Sequence, residues 1–302
     1  MPTTRREFLA GVAAASLAAA VPLPAAERLP IAFSTLGCPA WELDKILDFA
    51  EQHGFAAIEL RGLMGTMDLP SRPEFAPTEI DATKKKVGAH GLKVACVSSS
   101  AELHEADPQK REKTLGDARN FIDLASALNA PYVRVFGNKI EGPKDEVLTR
   151  VVSGMKELAA YSRPKNVTVI VESHGDFTDS ATLKEILTRA DSPNAALLWD
   201  AHHTFATSHE QPEDTVQALG KWIRHTHLKD SVPKGADRQY VLTGQGDVPV
   251  KRQIQALQKI GYKGYFCFEW EKAWHPELLE PEVAFADYAR GVSGYLRSSS
   301  GD

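Results

Sequence analysis

The sequence predicts an α/β protein with a (β/α)8 barrel fold, and three observations lead to this prediction. Eight short runs rich in Val, Ile and Phe alternate with eight amphipathic segments. The β-to-β repeat is roughly thirty residues, which is the size of one βα unit. No Gly-x-Gly-x-x-Gly motif follows the first run, and polar residues close each of the last four, which disfavours an open doubly wound sheet. We therefore predict a single TIM-barrel catalytic domain over residues 27–302.

The eight apolar runs are hydrophobic on both faces, as strands of a buried parallel sheet are. The predicted strands are Ile31–Ser34, Ala57–Leu60, Lys93–Ser98, Tyr132–Phe136, Thr168–Glu172, Ala196–Asp200, Ile223–Leu228 and Tyr265–Glu269. The segments between them have apolar residues at helical spacing, with proline in a first turn or glycine after a last turn. The predicted helices are Trp41–Gln52, Thr78–His90, Gln109–Leu128, Lys144–Ser162, Asp179–Ala190, Pro212–Leu219, Pro249–Ile260 and Pro281–Leu296.

Three connections are longer than packing requires, namely Arg61–Pro77, Ser231–Val248 and Glu271–Leu279. Long loops on the face of a barrel that holds the active site are usually lids or substrate walls. The glycines in the second and the aromatic residues in the third favour such a role over that of idle surface loops.

The N-terminus predicts an export signal over residues 1–26. Thr4-Arg5-Arg6-Glu7-Phe8-Leu9 matches a twin-arginine (Tat) consensus, and an Ala-rich apolar run and small residues at Ala25-Ala26 follow it. The alternative is an ordinary Ala-rich helix, which that specific string makes less favourable. The run is too short to span a bilayer, and no later stretch is a membrane span. We therefore expect a periplasmic or otherwise exported protein.

Composition is that of an ordinary globular protein, and the formal net charge is −5. No basic stripe is present, so a nucleic-acid partner is disfavoured. The three cysteines, Cys38, Cys96 and Cys267, are far apart and odd in number. Two of them lie inside apolar strands, so we expect no disulfide framework despite the oxidising compartment.

Short polar stretches close four predicted strands in the second half of the chain. They read Glu172-Ser-His174, Asp200-x-x-His203, His225-x-His227-Leu-Lys229-Asp230 and Glu269-Trp-Glu271. The C-terminal ends of parallel barrel strands meet at one face, where the active site lies. We therefore expect these side chains to lie close together.

Three carboxylates and one imidazole predict a divalent-metal site formed by Glu172, Asp200, His227 and Glu269. Such carboxylates repel one another unless a cation lies between them. Three oxygen ligands and one nitrogen suit Mn²⁺, Co²⁺ or Mg²⁺, with Zn²⁺ also possible. Each residue alone could instead form a salt bridge or cap a helix, but four at matching strand ends favour a metal site.

In order and spacing, these strings resemble the xylose isomerase-like sugar isomerase/epimerase superfamily, which includes the ketose 3-epimerases, the hydroxypyruvate isomerases and endonuclease IV. The resemblance covers essentially the whole chain after the predicted leader. In the ketose 3-epimerases a Glu, an Asp, a His and a Glu from strands five to eight hold the metal. The matching residues here are Glu172, Asp200, His227 and Glu269.

The resemblance also implies roles for individual side chains. The two glutamates transfer protons in the 3-epimerases, which implies that Glu172 and Glu269 are catalytic. His203 matches a histidine that contacts substrate there. His174, Lys229, Arg134 and Trp270 are further candidates for holding the polyol. For Arg134 a structural pairing with Glu59 or Asp200 is the alternative, and for His225 the alternatives are orienting its partner imidazole and packing within the strand.

This chain departs from the 3-epimerases after strand seven. The arginine that contacts substrate there is absent from Leu228-Lys229-Asp230-Ser231-Val232-Pro233. Arg238 is the nearest arginine, and Lys229 is a candidate to replace its charge. Glu271 and His275 extend the polar set of the last strand. The substrate is therefore left open.

The primary hypothesis is a metal-dependent isomerase or epimerase acting on an unphosphorylated sugar or ketose, by α-proton abstraction through a metal-stabilised enediolate. The alternative on the same site is a carbon–oxygen lyase that eliminates the C1 substituent of a 3-keto-glycoside. A non-enzymatic sugar-binding barrel is disfavoured because all four ligand positions are filled. Endonuclease activity is disfavoured by the acidic balance and the export signal. The sequence leaves homo-oligomerisation open.

Overall fold

The computed structural model describes residues 28–298, and its central feature is a closed parallel barrel. The eight barrel strands are β1 (Ile31–Ser34), β2 (Ala57–Leu60), β3 (Lys93–Glu102), β4 (Tyr132–Asn138), β5 (Thr168–Gly175), β6 (Ala195–Asp200), β7 (Ile223–Leu228) and β10 (Phe266–Phe268). Each strand pairs in parallel with its neighbours in sequence, and β10 closes the barrel against β1. The predicted (β/α)8 fold is confirmed.

Helices cover the outside of the barrel. They are α1 (Leu43–Gln52), α2 (Ile80–Ala89), α3 (Pro108–Ala127), α4 (Lys144–Ser162), α5 (Ser180–Ala190), α6 (Ala201–Ala206), α7 (Pro212–Leu219), α8 (Val250–Lys259) and α9 (Pro281–Ser298). All eight predicted helices are present, with bounds that differ by at most two residues. The short α6 is an addition: it begins directly after β6 because the Asp200 carboxylate accepts the backbone N–H groups of His202 and His203.

The loop predicted at Ser231–Val248 is wrong in part, since a β-hairpin lies within it. Strands β8 (Asp230–Lys234) and β9 (Asp237–Val241) pair antiparallel beside the barrel. Gly235, with φ of 64°, supplies the left-handed residue of the two-residue turn between them. The Arg61–Pro77 connection holds two short 3₁₀ turns, Leu69–Ser71 and Pro73–Phe75.

Side chains alternate between the two faces of each strand, and this alternation sorts polar from apolar residues. The outward face packs against the helices in one large apolar core, to which Phe33, Ile58 and Leu228 belong. The inward face starts, at the N-terminal end, with a layer of small residues: Ala32, Ala57, Ala95 and Cys267. Towards the C-terminal end of the strands the inward positions become charged, and this end is the mouth of the barrel.

The three cysteines are free and buried, as predicted. Within residues 28–298 there is no helix with both the length and the apolar character needed to cross a membrane. The predicted leader, residues 1–26, lies outside the described residues.

Candidate metal centre at the barrel mouth

The four predicted metal ligands converge at the mouth. Glu172 ends the buried part of β5, Asp200 ends β6, His227 lies on β7 and Glu269 follows β10. One ligand atom from each lies within 4.8 Å of those from the other three, and all four residues are buried. The sequence therefore identified a real cluster, assembled from side chains nearly a hundred residues apart.

His227 is the centre of this cluster. Its Nδ1 lies 3.1 Å from Glu269 Oε1, 3.2 Å from Glu172 Oε1 and 3.9 Å from Asp200 Oδ2. Burial by itself lowers the pKa of His227, but Glu269, Glu59 and Glu172 together raise it well above its usual value. The surrounding carboxylates thus stabilise a positive charge at or next to His227 Nδ1.

Glu59 contacts His227 from the opposite side. This β2 carboxylate is fully buried, and its Oε2 lies 2.8 Å from His227 Nε2 and 2.7 Å from His225 Nε2. Ser34 donates a hydrogen bond of 2.9 Å to its Oε1. Burial raises the pKa of Glu59, but the two imidazoles outweigh it and hold that pKa well below the usual value. In the neutral tautomer of His227, Nε2–H donates to Glu59 and the lone pair of Nδ1 points towards the three carboxylates, where a cation could bind it.

The structure therefore supports one of the two roles considered for His225. Its ring lies beside that of His227 and shares the Glu59 oxygen. His225 and Glu59 together fix the orientation of the metal-ligand imidazole.

Lys229 lies on the other side of the ligands. It is fully buried, and its Nζ lies 2.5 Å from Asp200 Oδ2, in contact with Glu269 Oε2 and 3.0 Å from Glu271 Oε1. Burial lowers the pKa of Lys229, but the three carboxylates raise it well above its usual value. Glu269 thus presents one oxygen to Lys229 and the other to His227.

Arg134 pairs with the ligand Glu172, and the proposed pairing with Glu59 or Asp200 is wrong. Its Nη1 lies 3.3 Å from Glu172 Oε2, and its guanidinium stacks 3.9 Å from the Phe136 ring centroid. Burial raises the pKa of Glu172, whereas Arg134 and then His227 lower it, to about 2. Glu172 Oε2 nevertheless accepts no hydrogen bond and is fully enclosed. It is a carboxylate oxygen with an unused lone pair.

The charges of these side chains suit a divalent cation. We use the term mouth cluster for the five carboxylates, three cationic side chains and two imidazoles gathered there: Glu59, Glu172, Asp200, Glu269, Glu271, Arg61, Arg134, Lys229, His225 and His227. When both imidazoles are neutral, as ion binding by His227 requires, the carboxylates exceed the cations by two charges; the proton that the raised pKa of His227 favours in the metal-free chain lowers this excess to one. Buried charge is costly unless it is compensated, so the donor set and the charge balance both fit one divalent ion.

The other predicted substrate-binding residues surround these ligands. His203 Nε2 lies 3.4 Å from Asp200 Oδ2, and its ring meets that of His174 edge to face. His174 Nδ1 lies 3.1 Å from Asn138 Oδ1, and burial lowers the pKa of its ring. Both histidines therefore lie at the mouth, as expected from the strand ends.

Trp270 occupies a different environment. It is 1 % exposed, it stacks on Phe268, and its indole N–H donates to the Leu279 carbonyl. In this arrangement the Trp270 side chain packs within the wall of the barrel, and its only donor is already used.

The β8–β9 hairpin forms one wall of the mouth. The hydroxyl of Tyr240 donates to Glu271 Oε1 at 2.8 Å, and its ring lies 5.4 Å from those of His202 and His275. Asp230 anchors the connection, because its carboxylate accepts the backbone N–H groups of Ser231, Gly244, Gly246 and Val248. The long connections thus contribute ordered side chains to the site.

Sequence reasoning missed three members of the site, namely Glu59, Arg61 and Tyr240. Glu59 lies on β2 and Arg61 directly follows its last residue, in a segment without any recognisable motif. The one available signal was a carboxylate inside an otherwise apolar strand, because buried charge normally has a function or a partner. Tyr240 was hidden within what was interpreted as an irregular loop.

Curated relatives include both dehydratases and epimerases. The chain is 24% identical over 258 residues to the inosose dehydratase of Geobacillus thermodenitrificans, covering 74% of this chain and 83% of that protein. It is 27% identical over 192 residues to the 3-dehydroshikimate dehydratase of Bacillus anthracis, covering 61% and 65%. It is 22% identical over 170 residues to the fructoselysine 3-epimerase of Shigella flexneri, covering 54% and 60%.

Solved structures with the same fold include metal-bound proteins. IolI protein with a bound zinc atom superposes with a TM-score of 0.71 at 21% identity, covering 89% of this chain and 97% of that one. A xylose isomerase-like TIM barrel protein from Mycobacterium smegmatis in complex with magnesium superposes with a TM-score of 0.69 at 17% identity, covering 91% and 99%.

The model of one protein family matches residues 47–288, which is most of the barrel. That family is described as the xylose isomerase-like TIM barrel, in agreement with the closed eight-stranded sheet and the ligands at its mouth. The chain belongs to the xylose isomerase-like TIM barrel family, and the curated relatives named here are two dehydratases and an epimerase.

Proposed function

We propose that this protein is a divalent-metal-dependent enzyme that removes the proton next to the carbonyl carbon of an unphosphorylated sugar or related polyol. The observation that carries the proposal is the convergence of Glu172, Asp200, His227 and Glu269, whose surroundings hold an excess of two negative charges. Dehydration next to a carbonyl and epimerisation both begin with loss of such a proton, and the relatives are named for these two reactions.

Glu172, Asp200, His227 and Glu269 would hold the ion. When bound, a divalent cation there polarises a carbonyl oxygen and stabilises the negative charge that develops as the neighbouring proton leaves. Glu59 and His225 orient His227 for this role. Arg134 lies beside Glu172 and keeps it ionised, and we assign to the Glu172 carboxylate the role of the base that takes the proton.

Lys229 favours elimination as the outcome. Removal of the α-proton by Glu172 leaves an electron pair that forms a C=C bond as the C–O bond at the next carbon breaks. The departing oxygen needs a proton, and the buried ammonium of Lys229 lies among the ligands at the mouth. This makes the protein a carbon–oxygen lyase of the dehydratase or 3-keto-glycoside type.

Epimerisation or isomerisation is the second candidate, and the pair of glutamates favours it. Glu172 and Glu269 come from non-adjacent strands, and both face His227 Nδ1, at 3.2 and 3.1 Å. One carboxylate can remove a proton from one side of the substrate while the other returns a proton to the opposite side. This outcome needs no proton donor for a leaving group.

The charge balance also favours an unphosphorylated substrate. With a divalent ion bound, the mouth cluster is formally neutral, so no surplus positive charge remains to pair with a phosphate. Export, which we propose from the Arg5-Arg6 signal, agrees with a sugar or glycoside met outside the cytoplasm. Substitution of both arginines by lysine should retain the protein in the cytoplasmic fraction of a host that has the Tat pathway.

The decisive experiment incubates the protein with a panel of free ketoses and 3-keto-glycosides in deuterated water, with and without a chelator. We expect chelator-sensitive deuterium uptake at one carbon, with release of an aglycone or water if elimination follows. Interconversion of free ketoses without release supports epimerisation. No exchange with any member of the panel, or exchange that a chelator leaves unchanged, would contradict the proposal.

Lys229→Met separates the two outcomes. If elimination is correct, the variant loses roughly 100-fold or more in the release of the leaving group, because the proton donor is gone, while deuterium exchange at the α-carbon persists. Lys263→Met, at an exposed position, is the control. Release that proceeds at the wild-type rate in Lys229→Met rules out this role for the lysine.

A further inference from the structure

Arg61 lies at the mouth with its guanidinium unpaired. It follows the last residue of β2 and is 6 % exposed. Its backbone N–H donates to Thr35 Oγ1 at 3.0 Å, but within residues 28–298 its side chain forms no hydrogen bond or salt bridge, and its Nη1 is completely enclosed. Arg134, which is 1 % exposed, has the carboxylate of Glu172 beside it, although its Nε and Nη1 form no hydrogen bond.

An enclosed guanidinium without an acceptor is costly to a folded protein. The N–H donors of the enclosed Nη1 lose their water on burial, and within residues 28–298 no acceptor replaces it. Burial, followed by repulsion from Arg134, lowers the pKa of Arg61 to about 9. Unpaired polar groups are rare in protein interiors, and a bound molecule that supplies the missing hydrogen-bond acceptor is one reason for such a group.

The alternation of β2 directs Arg61 into the barrel. Ala57 belongs to the small-residue layer at the N-terminal end of the interior, and Glu59, two residues on, contacts His225 and His227. Arg61 is two residues further, so it occupies the next inward position, nearer the mouth. Glu172, Glu269 and Glu59 are near enough to act on the Arg61 charge, each in the direction that raises its pKa, which agrees with this placement.

We propose that Arg61 is a substrate-binding residue, which donates hydrogen bonds to a hydroxyl or carbonyl oxygen of the sugar held at the candidate metal centre. The proposal rests on the proposed function for its substrate class. A neutral oxygen is preferred over a carboxylate because the mouth cluster with a divalent ion, Arg61 included, already sums to zero charge. Arg61 thus places one end of the substrate against β2, across the barrel from Asp200 on β6.

The test compares Arg61→Met with the wild type in three measurements. Xylitol, a neutral and unreactive polyol, and D-gluconate, an anionic polyol, are titrated by calorimetry into the Mn²⁺-loaded protein. Mn²⁺ affinity is measured separately, and thermal unfolding is followed without metal or polyol. We expect xylitol affinity to fall about tenfold or more, Mn²⁺ affinity to stay within about threefold, and the ligand-free variant to melt at a higher temperature, because an unpaired buried charge is removed.

Arg111→Met is the matched control. Its guanidinium donates to the carbonyl oxygens of Leu103 and Arg150, so its loss should lower the melting temperature and leave xylitol binding unchanged. Arg61→Lys should bind xylitol with intermediate affinity, since the ammonium can still donate a hydrogen bond.

Several results would overturn the inference. These are unchanged xylitol affinity in Arg61→Met, no binding of either probe by the wild type, or a lower melting temperature for the variant. A loss of gluconate binding that far exceeds the loss of xylitol binding would overturn the choice of a neutral oxygen. If no ketone exchanges its proton but Arg61→Met still weakens xylitol binding, the proposed chemistry fails while the role of Arg61 stands.

Discussion

The two halves of the barrel mouth differ in what they contribute to the site. Strands β5, β6, β7 and β10 supply the four residues that could hold a metal ion. Strands β1, β2 and β4 supply no ligand to that set, but they supply Ser34, Glu59, Arg61 and Arg134. One half gathers the atoms around an ion, while the other sets the orientation and the net charge of those atoms.

His227 is where the halves meet. Its Nδ1 faces the carboxylates of the first half, and its Nε2 faces Glu59 of the second. An imidazole that binds a metal needs a partner at each ring nitrogen. A hydrogen-bond acceptor holds the proton on one nitrogen, which leaves the other nitrogen free to bind the ion. The half of the mouth without candidate ligands therefore contributes to metal binding through the orientation of His227.

The largest effect is expected from removing His227, the residue that contacts both halves. His227→Ala should lower Mn²⁺ affinity by more than about 100-fold, because a ligand is lost and the carboxylates around it are left without their shared partner. Calorimetric titration of the chelator-treated protein measures this. His209→Asn, at an exposed position, is the control, and equal loss in both variants would show that general instability is the cause.

A smaller effect is expected from the second half alone. Glu59→Gln keeps the size of the side chain but removes its charge, and should lower Mn²⁺ affinity by about 10- to 100-fold. Ser34→Ala, which removes one hydrogen bond to Glu59, should have a weaker effect in the same direction. Wild-type affinity in Glu59→Gln would mean that the two halves act independently.

The pH dependence of the metal-free protein gives a third and smaller test. The pKa of Glu172 is lowered to about 2 in the folded protein, from an ordinary value of 4.5. The stability that its ionised form contributes is therefore fully present above pH 4.5 and is lost as the pH falls from about 4.5 to about 2. Denaturant unfolding at several pH values should show this loss in the wild type, with a smaller slope in Glu172→Gln. Equal slopes would mean that Arg134 and His227 do not stabilise the carboxylate.

The same division decides how much could be predicted from sequence. The four ligands were found because each closes an apolar run, and strand ends of a barrel must meet at one face. Glu59 could not be found that way, because its partners His225 and His227 lie 166 and 168 residues away and its only mark in the sequence is that it is a carboxylate in an otherwise apolar strand. Its significance comes from burial, which is a property of the folded chain.

The fold itself was predictable because the spacing of hydrophobic residues and the glycines and prolines at helix ends indicate the same strand and helix boundaries along the chain. The exceptions are local. The hairpin at β8 and β9 was missed because the glycines of this segment, Gly235 among them, suggested an irregular loop. A two-residue turn between paired strands also uses glycine. Helix α6 was missed because Asp200, interpreted as a ligand, also caps a helix through its other oxygen.

The most direct test of the account is a Mn²⁺ titration of the chelator-treated wild type beside Asp200→Asn, with both proteins checked for folding by circular dichroism. We predict one ion per chain in the wild type, and binding abolished in the variant. A wild type that binds no divalent ion, or an Asp200→Asn variant that binds it as tightly, would contradict the claim that the mouth of this barrel is a metal centre.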